Sequence, residues 1–142
     1  MLMDESCLDY ETITTDEQLL ALCERLAAAD WIAFDTEFVA EHTYRPRLCL
    51  VQVNACGALS VIDTLRVGDM KPFWQCLAEK SKLTIVHAGR EEIGFCLTAI
   101  GKVPAHLLDV QIAAGLIGLE YPAGYSTLVQ KLLGVSLEGA VG

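Results

Sequence analysis

The stretch Trp31-Ile32-Ala33-Phe34-Asp35-Thr36-Glu37-Phe38 constrains this chain most, because it sets two carboxylates into a run of β-compatible residues. In a strand, residues two apart share a face, so Asp35 and Glu37 meet one small volume about 6.6–6.8 Å apart along the backbone. Two such charges need basic partners, partial protonation or a metal, since an uncompensated buried carboxylate is too costly to keep. Hard divalent ions such as Mg²⁺ take oxygen ligands, and a pair of them suits in-line attack on a phosphodiester. A strand end that exposes two solvated acids produces the same tripeptide.

The rest of the chain is compatible with a folded α/β unit. Its 142 residues are 53% hydrophobic, ample for a core. No apolar run approaches a membrane span, and the start Met1-Leu2-Met3-Asp4-Glu5 lacks the order of a secretion signal, so the expected location is cytoplasmic. The six cysteines form no C-x-x-C pair, which argues against a zinc site or a disulfide framework. The formal net charge of −9 argues against a coat-like nucleic-acid binder, although a cleft that holds cations needs few basic residues.

In chain order, Met1 to Thr14 reads as an entry segment. Thr14 or Thr15 caps a helix whose Leu19, Leu22, Cys23 and Leu26 share a face, with Glu17 or Gln18 completing a capping box. The Asp35 strand follows, then a loop with Tyr44-Arg45-Pro46-Arg47. Two more strands, Leu48 to Asn54 and Leu59 to Asp63, are joined by Ala55-Cys56-Gly57, so a three-stranded antiparallel meander is expected. Asp69 reads as the cap of a helix that buries Phe73, Trp74 and Leu77. Leu83 to His87 reads as a strand feeding a helix with Ile93, Cys96, Leu97 and Ile100 inside and a stop at Gly101. Leu107-Leu108-Asp109 reads as a last short strand, with Asp109 capping a helix through Val110, Ala113, Ala114 and Ile117. Ser126 reads as the cap of a final helix holding Leu128, Leu132 and Leu133, and the tail from Val135 carries little signal.

His87-Ala88-Gly89-Arg90-Glu91-Glu92 stands where a strand gives way to a helix, a common ligand position in α/β sheets, though first-turn acids also suit a helix dipole. The order Asp35-Thr36-Glu37-Phe38, Arg47 to Gln52, His87-Ala88 with its acidic pair, then Asp109-Val110-Gln111-Ile112-Ala113-Ala114 resembles the ribonuclease D family of DEDD 3′→5′ exonucleases. Gly124-Tyr125-Ser126-Thr127-Leu128 and Gly134-Val135-Ser136-Leu137 extend the resemblance, which runs from about Thr12 to Leu137.

The resemblance implies a ribonuclease H-like α/β fold: a mixed sheet with an antiparallel meander plus parallel strands, flanked by helices and C-terminally truncated. It implies one exonuclease-like domain over residues 1–142 that removes nucleotides from single-stranded RNA 3′ ends with two divalent ions, Mg²⁺ or Mn²⁺. On this pattern Asp35 bridges both metals, Glu37 binds one near the terminal nucleotide, and Glu92 falls where the family has its second-motif Asp. Thr36, Phe38 and His87 fall on the nucleic-acid side. The third motif, a Tyr followed four residues later by an Asp, falls past Gly142, so the implied site is incomplete and weakly active or inactive. The alternatives are a catalytically incomplete nucleic-acid-binding or protein-interaction domain of this fold, and a 3′→5′ DNA exonuclease.

Overall fold

The computed structural model describes residues 9–42 and 44–137; the segment before Asp9 and the tail beyond Leu137 lie outside the described residues. The elements are β1 (Tyr10–Ile13), α1 (Asp16–Ala27), β2 (Trp31–Val39), β3 (Arg47–Ala55), β4 (Ala58–Asp63), α2 (Lys71–Ala78), β5 (Leu83–Val86), α3 (Arg90–Ile100), β6 (His106–Asp109), α4 (Val110–Leu116) and α5 (Tyr125–Leu133). The six strands form one mixed sheet in the order β1-β4-β3-β2-β5-β6.

Local chemistry accounts for most of these boundaries. Thr15 caps α1 by accepting from the Gln18 amide at 3.1 Å, while Gln18 Oε1 accepts at 2.8 Å from the amide of Thr14, one residue before the cap. The expected meander forms as β2-β3-β4. Its second turn needs positive φ at both Cys56 (53°) and Gly57 (97°), and the Asn54 side chain accepts the Gly57 amide at 2.9 Å. Leu19, Leu22 and Leu26 of α1, Phe73, Trp74 and Leu77 of α2 and Cys96 of α3 pack with Ile32 and Phe34 of β2 in one buried cluster. Phe34 meets Phe73 and Trp74 edge to face, with centroids 5.7 and 5.9 Å apart.

Several expectations give way to tertiary context. Tyr10–Ile13, expected within an entry segment, is an edge strand paired parallel to β4; only Ile13 is buried, so it carries little alternation to read. Met70 rather than Asp69 is the N-cap of α2, with Asp69 accepting the Lys71 amide at 2.9 Å. Gly124 rather than Ser126 begins α5. Leu97, Leu132 and Leu133, expected inside, are exposed, and α3 instead buries Glu92 with Cys96. Lys82 is also buried, its ammonium donating to the Ala27 and Ala29 carbonyls at the end of α1, where a cation suits the helix dipole. Among the described residues no helix is long and apolar enough to cross a membrane.

Candidate active site at the sheet switch point

The strand order reverses at β2. The chain runs outward through β3 and β4, crosses over by α2, and resumes at β5 on the other side of β2, parallel to it. Ligands in open α/β sheets gather at such a reversal, beyond the carboxyl ends of the parallel strands. β2, β5 and β6 are mutually parallel, and their carboxyl ends carry Asp35 to Phe38, the His87 to Glu92 junction and Asp109.

β5 accompanies β2 only as far as the Ala33–Ile85 pair. Beside Asp35 and Thr36 the position next to β2 is taken by Glu92, from the first turn of α3. Thr36 Oγ1 donates to Glu92 Oε1 at 2.7 Å, and both residues are only 6% exposed. Burial pushes the Glu92 carboxyl above its ordinary value; the Thr36 hydroxyl and the backbone oppose this, and the neighbouring Asp35 carboxylate adds to it by charge and by a shared hydrogen bond. Two side-chain ion pairs, Arg25 with Glu11 and Lys131 with Glu120, lie away from this pair.

Asp35 and Glu37 share an exposed face of β2, opposite the buried face of Phe34 and Thr36. Gln52 stands directly across from Asp35 on β3. A register shift between Glu37 and Phe38 re-aims the strand end, leaving Phe38 37% exposed with its ring edge-on to Phe95 of α3 at 5.6 Å. The three acids expected to converge therefore do so unequally. Asp35 and Glu92 come together, whereas among the described residues no group of three His, Cys, Asp or Glu side chains is close enough to hold one ion. The Asp35–Glu92 pair fits a hard divalent cation in kind, being an oxygen-only pair of acidic groups beside the carboxyl end of a central strand.

The junction itself is built by Asp109. Its carboxylate accepts from the amides of Ala88 (3.0 Å), Gly89 (2.9 Å) and Gln111 (3.0 Å), so it caps α4 as expected and also ties down the turn that starts α3. Burial alone would raise this carboxyl; the amides of Gly89, Ala88, Gln111 and Ile112 outweigh it and hold it below its ordinary value. Ala88 adopts φ 51°, and a Cβ on Gly89 would lie 2.4 Å from Val86 Cγ2, so the turn packs against β5 with no spare room. His87 lies beside it, with Nε2 2.9 Å from the Ala123 carbonyl and its ring 5.8 Å from Tyr125. A carbonyl only accepts, so Nε2 carries the proton, and Gln111 Nε2 donates to the same oxygen at 3.1 Å. The link from Asp109 to the β5–α3 turn and the Phe38–Phe95 pair escape sequence reasoning, since both join residues twenty or more positions apart in ways no spacing encodes. A recess of about 700 Å³ lined by Tyr10, Arg25, Asp30 and Cys56 lies at the opposite end of β2 and includes none of these acids.

This sheet, with acids at the carboxyl ends of its central strands, defines a nuclease-like α/β class, and the chain belongs to the 3′-5′ exonuclease family, whose model matches residues 10–140. That family is dependent on divalent metal. Within it the chain is similar to the ribonuclease D of Zymomonas mobilis, 41% identical over 131 residues, which make up 91% of this chain and 34% of that protein. It is also similar to the crystal structure of Escherichia coli RNase D, an exoribonuclease involved in structured RNA processing. The TM-score is 0.85 at 37% identity, covering 92% of this chain and 35% of that one. Trypanosoma brucei RNase D in complex with RNA U12 shares the fold, with a TM-score of 0.79 at 19% identity, covering 90% of this chain and 48% of that one. The chain spans about a third of the length of the curated relatives it matches, and the expected resemblance and mixed-sheet fold are both borne out.

Proposed function

We propose that this chain carries the metal-binding part of a 3′→5′ exoribonuclease centre that acts on single-stranded RNA ends. The observation that carries the reading is the Asp35–Glu92 pair: two carboxyl groups brought together at the switch point of a sheet that belongs to an exonuclease family. Asp35 and Glu92 hold a divalent ion, Mg²⁺ or Mn²⁺, and Glu37, on the face of Asp35, serves a second ion or the terminal nucleotide. A bound ion supplies a Lewis acid that activates water and stabilises the leaving oxygen. Phe38, half-exposed against Phe95, offers a ring edge to the terminal base or sugar, and His87 flanks the strand from the β5–α3 turn. Thr36, expected on the nucleic-acid side, has its hydroxyl turned inward to Glu92, which favours an indirect role.

A second reading, a domain of this fold that binds nucleic acid without cutting it, is favoured by one observation: no three acids converge among the described residues. The test separates the two. Single-stranded RNA and DNA oligonucleotides labelled at the 5′ end are incubated with the 142-residue chain in Mn²⁺ or Mg²⁺. Slow, stepwise shortening of RNA from its 3′ end that disappears in Asp35→Ala is the expected result. Retention without shortening supports the binding domain, and preferential shortening of DNA changes the substrate class.

A further inference from the structure

We infer that Thr36 is a positioning residue whose hydroxyl holds the Glu92 carboxylate in place for the divalent ion. The inference rests on the metal-binding reading above. Thr36 stands between Asp35 and Glu37 in sequence but opposite to them in space: it belongs to the buried face of β2, and at 6% exposure its side chain does not meet a substrate. What it meets is Glu92 Oε1, at 2.7 Å.

Glu92 needs such a partner for a geometric reason. It lies where β5 has already ended, so no strand backs it on that side, and it reaches toward Asp35 from α3 through three rotatable bonds. One strong hydrogen bond to Oε1 orients the carboxylate plane and leaves Oε2, with the second lone pair of Oε1, for an ion shared with Asp35. Groups that hydrogen-bond a metal-binding side chain typically change metal affinity about 10–100-fold when removed. The roles of Thr36 divide cleanly by atom: its methyl group fills space, and its hydroxyl orients Glu92.

The test uses that division. Thr36→Val keeps the shape and deletes the hydroxyl; Thr36→Ser keeps the hydroxyl and deletes the methyl. Mn²⁺ affinity is measured by calorimetric titration, and folding by melting in EDTA. The expected result is about a 10-fold loss of Mn²⁺ affinity in Thr36→Val and less than about a 3-fold change in Thr36→Ser. In a Glu92→Gln background, Thr36→Val should add no further loss, because the group it orients no longer binds. Should Thr36→Val not melt cooperatively, Thr36→Ala asks the same question with a smaller side chain. A folded Thr36→Val or Thr36→Ala that keeps its Mn²⁺ affinity, or a Thr36→Ser as weak as Thr36→Val, overturns the inference. If Asp35→Asn abolishes Mn²⁺ binding in the same series, the metal reading survives that failure. If Asp35→Asn binds Mn²⁺ as the unaltered chain does, or the unaltered chain binds none, the metal reading itself falls and takes the inference with it.

Discussion

Asp35 and Glu92 set two acidic groups side by side, and this makes their chemistry measurable without an activity assay. A divalent ion that binds the folded chain stabilises it by mass action, by about 2.7 kcal/mol at one hundred times its dissociation constant. Millimolar Mn²⁺ should therefore raise the melting temperature, and Asp35→Asn should remove the rise; an equal rise in that variant would place the ion elsewhere. Glu92 adds a pH signature. Its folded carboxyl lies above the ordinary value, chiefly through burial, so the folded state binds that proton more tightly than the unfolded state. Its destabilising contribution is present at neutral pH and fades as the pH falls through the folded value. Glu92→Gln should thus raise the stability of the metal-free protein at pH 7, with the gain shrinking toward pH 4. Melting curves over that range check it, and a pH-independent gain would count against it.

At the scale of elements, the β5–α3 turn decides where Glu92 stands. Asp109→Ala removes a helix cap and strands the Ala88 and Gly89 amides, which should cost about 2–4 kcal/mol. Because the Asp109 carboxyl sits below its ordinary value, its contribution is present above about pH 4 and is lost as the pH falls through the folded value, the opposite sign to Glu92. Gly89→Ala tests the same turn by volume. Its φ of −81° suits any residue, but the added Cβ overlaps Val86, so a cost of about 1–3 kcal/mol is expected. Chemical denaturation measures both. The Mn²⁺-induced rise in melting temperature should shrink in Gly89→Ala as well, since a shifted turn carries Glu92 away from Asp35.

Over the whole molecule the charge is −9, with 10 basic against 19 acidic residues. Such a charge suits RNA contact at a few local points, on the proposed reading, rather than through a broad basic field. Arg90, two residues before Glu92, and Arg45 and Arg47, in and after the loop that follows β2, are the basic groups near the site in sequence. Each phosphate neutralised contributes about −0.7 to the slope of log affinity against log salt for a single strand. A slope no steeper than about −2 is therefore expected for RNA binding in Ca²⁺, measured by fluorescence anisotropy, and a slope of −5 would require a basic surface that this chain lacks.

Sequence alone determined the parts that local physics controls. The alternation in Trp31–Phe38 set Asp35 and Glu37 on one face, Thr15 with Gln18 started α1, the paired positive-φ residues Cys56 and Gly57 turned β3 into β4, and Asp109 began α4. The ordered motifs around Asp35, His87 and Asp109 were enough to suggest the family, because each is a contiguous segment. The tertiary structure decided what depends on neighbours distant in the chain. Periodicity put Leu97, Leu132 and Leu133 on apolar helical faces, but a face is buried only where another element covers it, and these three are exposed. Tyr10–Ile13 became a strand because β4 offered it an edge. Glu92 was legible as an acid in the first turn of a helix; that it is buried, bonded to Thr36 and set against Asp35 follows from β5 ending early beside β2, a fact of sheet register that no local pattern of residues encodes.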